Sequence, residues 1–99
     1  MKMYILIKDT IPLGKAINAA AHAGAIAVLQ WQEENDFNEW LNSFKKVTCK
    51  VSEEEFIKAK QFKKHIVLTE SSMGGKEVAI VFCPRKEWPK TFKHYRLYS

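Results

Sequence analysis

The chain has 99 residues, 46% of them hydrophobic and 27% charged, with a formal net charge of +5. That size and mix predict one globular domain over 1–99 with a modest core. The longest apolar run, from Ala16 to Leu29, is broken by Asn18 and His22, so it is too short and too polar to span a membrane. The short apolar start carries no small-residue cleavage site, and the expectation is a cytoplasmic protein with no membrane partner.

In chain order, residues 2–8 (KMYILIK) are apolar and β-rich between two lysines, which is the pattern of a strand buried on both faces. Asp9 or Thr10 is expected to cap the next element, and Pro12 suits a first helical turn. A long helix is predicted over 12–32, with Ile17, Ala20, Ala21, Gly24 and Val28 as its core stripe. Asp36 is expected to cap a short helix over 37–42. Residues 45–51 alternate as a strand. Ser52 followed by Glu53, Glu54 and Glu55 forms a capping box with extra negative charge at the positive helix end. The helix it opens, over 53–64, should bury Phe56, Ala59 and Phe62. Residues 65–69 and 77–83 read as an antiparallel hairpin joined by a Gly-containing turn, and 85–92 as a last helix. The order is therefore β-α-α-β-α-β-β-α. This predicts an α/β fold, a mixed four-stranded sheet with helices on both faces and a right-handed first crossover.

Cys49 and Cys83 are the only cysteines. Each lies in a strand-like run, and neither has a His or Cys at ligand spacing. Two reduced, buried thiols are expected, with no metal and no cofactor.

On the long helix a second stripe, Lys15, Asn18 and His22, follows i, i+3, i+7 and lies to one side of the predicted core stripe. Lys15 stands in the first turn, where a cation opposes the helix dipole. An anion prefers that end, and a lysine there adds to the attraction.

From Ile7 to Ala23 the chain reads Ile-Lys-Asp-x-x-x-Leu-Gly-Lys-x-x-x-Ala-Ala-Ala-His-Ala. This resembles the opening of the type 2 peptidyl-tRNA hydrolase family, which has a strand, an Asp, a Gly-Lys-Gly-Lys segment and a helix carrying Ala-Ala-Gln-x-x-His-Ala. The predicted element order is similar too, as is the Pro after the last strand (Pro84). With His22 as the anchor, Lys15 falls at the family's second lysine and Gly14 at the glycine before it. Leu13 occupies the place of the first lysine and Ala19 that of the glutamine, with Asn18 next to it. Asp9 matches the family's Asp after a one-residue deletion. Glu70 corresponds to the Asp of the turn after the third strand, a turn that is shorter here and lacks its Thr-Gln.

The resemblance implies hydrolysis of the ester joining a peptide to tRNA. His22 would be the general base, since an imidazole titrates near neutrality. Lys15 and backbone N–H groups would stabilise the oxyanion. Asp9 or Glu70 would orient them, and Gly14 and Asn18 would touch the substrate.

Charge is uneven. Residues 1–43 carry three lysines against five acids, net −2, whereas 44–99 carry thirteen basic and six acidic side chains, net +7. The asymmetry predicts tRNA or another polyanion as partner. Two clusters are available to grip it: Lys60, Lys63 and Lys64; and Arg85, Lys86, Lys90, Lys93 and Arg96, the latter interleaved with Trp88, Phe92, His94 and Tyr95. Three functions stay open on these residues: the esterase, a non-catalytic RNA- or phosphate-binding module, and a small-molecule enzyme on the same scaffold. A homodimer through Trp31, Phe37 and Trp40 is likewise open.

Overall fold

The N-terminal strand β1 (Met3–Lys8) is the centre of the molecule: Met3 to Ile7 are all buried, as a strand covered on both faces requires. In the computed structural model, which describes residues 1–99, β1 leads into helices α1 (Leu13–Trp31) and α2 (Asn35–Trp40). Strand β2 (Lys46–Val51), helix α3 (Glu53–Ala59) and the hairpin β3 (His65–Glu70) and β4 (Lys76–Phe82) follow. The chain ends in a 3-10 turn, Lys90–His94, and a two-residue strand β5 (Arg96–Leu97). The sheet order is β3-β4-β1-β2-β5. β1 and β2 are parallel, with Ile5 beside Thr48, while β4 runs antiparallel to both β1 and β3. The three parallel strands β1, β2 and β3 therefore end at one edge of the sheet.

Helices cover both faces. Met3, Ile5 and Ile7 pack with α1, α2, Leu68 and Val81 on one side. Tyr4 and Leu6 pack with Cys49, Val51, Phe56 of α3, Phe82, and Phe92 of the C-terminal 3-10 turn on the other. No helix is long and apolar enough to cross a membrane.

The α/β class and the antiparallel hairpin agree with the sequence reading, but the sheet has five strands rather than four. The predicted last helix over 85–92 does not form. Pro84 precedes that segment and Pro89 lies within it, where it starts only a 3-10 turn, and the chain then returns to pair Leu97 with Cys49. The helix expected over 53–64 stops at Ala59, and Lys64 takes a left-handed φ of 56° before β3. Its capping box is present: Glu55 N–H donates to Ser52 Oγ at 3.1 Å and Ser52 N–H to Glu55 Oε1 at 2.8 Å. Neither Asp9 nor Thr10 caps α1; Pro12 stands at its N-cap, with no side-chain cap. Asp36 lies within the first turn of α2, whose N-cap is Glu34.

The core stripe of α1 is rotated from the expected one. Ala16, Ala19, Ala23, Ala27 and Trp31 face the sheet, while Ile17 is 61% and Val28 46% exposed. The sheet presents large side chains (Met3, Ile5, Ile7, Leu68, Val81), so the interlayer space is filled from below and the helix settles on its smallest face. Trp31, Phe37 and Trp40 are buried in this same core and offer no surface to a partner.

Candidate functional site

The rotation of α1 leaves Lys15 half-buried and Asn18 and His22 exposed along one flank of the helix. The flank begins at the sheet edge where β1, β2 and β3 end, outside the carboxyl ends of the strands, where ligands of open α/β sheets commonly sit. The first turn of α1 has no capping side chain and no acidic residue, so its outward N–H groups and the Lys15 ammonium make that end electropositive. Gly14 is exposed there, and nothing would lie within 4 Å of a Cβ on it; its surroundings do not require glycine.

Glu70 closes the arrangement from β3. Its carboxylate accepts Ser72 N–H at 3.1 Å and Ser72 Oγ–H at 2.8 Å. These hydrogen bonds hold its carboxyl below its ordinary pKa, and the positive charges of Lys15 and His22 add smaller contributions in the same direction. No hydrogen bond or ion pair joins the three directly. Chemically the cluster offers an imidazole, an ammonium and a fixed carboxylate on an open surface.

Asp9 does not join it. Its carboxylate lies 3.9 Å from Arg96 Nη2 across the edge of the sheet, in a polar hollow with Lys50, Glu55 and His94. Its backbone N–H donates to Val51 O, which ties the end of β1 to β2. Ala19, at the glutamine position of the family pattern, faces the sheet and is 3% exposed. The residue that shares the flank with Lys15 and His22 is Asn18.

Lys86, Lys90 and Lys93 lie elsewhere. They line a hollow with Lys2, Tyr4 and Trp88 at the start of β1, on the face opposite α1. They are thus separated from the flank of α1 by the sheet. Lys86 also approaches Glu39 at 3.8 Å. The other basic cluster is largely neutralised within the protein: Lys60 pairs with Glu77 and Lys64 with Glu34. Arg85 serves the fold, donating to the carbonyls of Lys63 and Cys83 and stacking over Trp88. Of the interleaved aromatics, Phe92 and Tyr95 belong to the core.

Both thiols are buried and free, and burial pushes each up to about 11, which removes them as nucleophiles at neutral pH. No group of three His, Cys, Asp or Glu side chains gathers closely enough to hold a metal ion.

The sequence reading found Lys15, Asn18 and His22 from their spacing and Glu70 through the resemblance. It missed Lys2 and Tyr4 as partners of the C-terminal lysines, because the two chain ends meet only through long-range contacts, the bridge of Lys2 with Arg85 and the packing of Tyr4 on Trp88 and Phe92. No known family model and no curated protein matches this chain.

Proposed function

We propose that the chain is an ester hydrolase of the peptidyl-tRNA type, working at Lys15, His22 and Glu70. What supports the reading is the placement of Glu70: a carboxylate fixed by Ser72 at the end of β3 lies within the electric field of Lys15 and His22 on the flank of α1, without a direct bond to either. His22 takes a proton from water while the water oxygen attacks the ester carbonyl. The oxyanion of the tetrahedral adduct meets the Lys15 ammonium and the uncapped N–H groups of α1. On collapse the ester C–O bond breaks, and the departing ribose oxygen takes the proton back from the His22 imidazolium. The products are a peptide acid and a tRNA with a free terminal hydroxyl. Glu70 favours the transient imidazolium by its charge. The open surface suits a macromolecular ester better than a small one, which would need an enclosing pocket to hold it.

The test is turnover of a peptidyl-tRNA with a blocked amino group, followed by release of the free tRNA. His22→Ala and Lys15→Ala should each slow it by about a hundredfold or more, the scale of losing a general base or an oxyanion donor. Both side chains lie off the core face, so thermal unfolding should barely change. Absence of turnover by the parent protein, or full activity in both variants, removes this reading.

A further inference from the structure

The side of the sheet away from α1 carries a second constellation. Two hollows, of about 450 and 420 Å³, adjoin at Lys2, Tyr4 and Lys93 and form one trough across the start of β1. Lys86 and Lys90 stand at one end of it, and Tyr95 and Leu97 at the other. Tyr4 is 5% and Tyr95 6% exposed, yet neither hydroxyl has a hydrogen-bond partner in the protein. Both hydroxyls escape complete burial, because the only fully enclosed side-chain polar atom without a partner is Trp88 Nε1. Two phenols more than nine-tenths buried therefore keep their O–H groups free at the floor of a trough. Lys2, Lys90 and Lys93 form no ion pair, and the acidic exception on the rim is Glu87.

Free phenolic and ammonium donors call for an anion with several acceptor oxygens, and a phosphate meets that demand. Lysines spread along a trough, rather than gathered at a point, fit consecutive phosphates of a chain. Half-buried Trp88 lines the lysine-rich end, with Tyr4 at 4.7 Å between ring centroids and the Arg85 guanidinium 4.6 Å over its ring, and its exposed part is what a base would rest against. We propose that this trough binds a short stretch of single-stranded nucleic acid. Its phosphates would lie on Lys2, Lys93 and the Tyr4 hydroxyl, and one base would lie against Trp88. The proposal does not rest on the ester-cleaving reading, since the trough lies across the sheet from His22.

Binding of a fluorescein-labelled oligouridylate twelve nucleotides long, measured by anisotropy across a salt series, tests it. Lys2→Ala/Lys93→Ala should lower the slope of log affinity against log salt by about 1.4, since each single-strand phosphate contact contributes about 0.7. Tyr4→Phe keeps the ring in the core and should weaken binding about threefold to tenfold through loss of one hydroxyl. Lys58→Ala, which removes an exposed lysine of α3 that lines neither hollow, should bind as the parent does. Inorganic polyphosphate and an abasic strand of the same length separate a phosphate site from a nucleic-acid site; both should bind more weakly than oligouridylate. Equal binding by all three probes overturns the nucleic-acid assignment. The trough itself is overturned if the parent fails to bind at low salt, if the lysine double variant keeps the parent's slope, or if Lys58→Ala lowers binding as much as the trough variants do. Failure of ester hydrolysis leaves these outcomes unchanged, so the two readings fail separately.

Discussion

Replacing Phe92 by alanine should bring the protein close to unfolding. Phe92 is 1% exposed, although it sits in a 3-10 turn near the end of the chain. Five rings surround it, with centroids at 5.0 Å (Tyr4), 5.3 Å (Phe62), 5.1 Å (Phe82), 4.8 Å (Trp88) and 5.2 Å (Tyr95). Truncating a buried phenylalanine costs about 3–5 kcal/mol, and aromatic pairs contribute beyond their area, which places this site at the upper end. A domain of this size is stable by about 5–15 kcal/mol in all. At about 5 °C per kcal/mol, the Tm should fall by about 25 °C. Differential scanning calorimetry or circular dichroism reads the shift directly. Phe92→Leu keeps most of the bulk and should fall between parent and alanine variant. A drop of less than about 5 °C, with the transition still cooperative, would refute the docking of the C-terminal turn into the core. The trough proposal would then lose its floor.

Four further outcomes are expected. Ile17→Lys should change stability by no more than about 0.5 kcal/mol, whereas Ala23→Leu should cost about 1–3 kcal/mol by overpacking against the sheet; urea unfolding that reverses this order would restore the stripe read from sequence. Ala19→Gln should destabilise rather than rebuild a site, because its amide would be driven into the apolar interface; an undiminished Tm would count against the orientation of α1. Carbon-detected NMR titration should find Glu70 below the ordinary carboxylate value and Ser72→Ala should raise it. A depressed native pKa gives stability that is present above the unfolded value and lost as pH falls through the native one. Cys49 and Cys83 act in the opposite direction. Their native pKa values are raised to about 11, so their share of stability is intact below the unfolded thiol value and is lost as pH rises towards about 11, and neither should react with a thiol reagent until the protein unfolds.

The elements themselves were legible from local chemistry. Five successive apolar residues flanked by lysines announced the central strand, Ser52-Glu-Glu-Glu announced the start of α3, and Gly74 and Gly75, both at positive φ, announced the hairpin turn. Spacing alone gathered Lys15, Asn18 and His22, because a helix puts i, i+3 and i+7 on one side whatever it packs against. Which side met the sheet was a different matter. Alanines ring α1 so nearly completely that its sequence supports two stripes. The choice went to Ala16, Ala19, Ala23 and Ala27 because the sheet supplies the bulk, a fact written in β1, β3 and β4 rather than in the helix. The C-terminal segment failed as a helix for a similar reason. Its aromatic spacing looks helical, but Phe92 and Tyr95 are spent on a core built by Tyr4 and Phe82, and Leu97 completes the sheet edge beside Cys49. Long-range pairing also decided the partners of the charges. It sent Asp9 to Arg96, left Glu70 to face Lys15 and His22, and carried Lys86, Lys90 and Lys93 to Lys2 on the far face. A sequence fixes what each residue can donate, accept or bury over a turn or two of chain; which groups meet across tens of residues is set by how the layers close, and that is settled only by packing the whole.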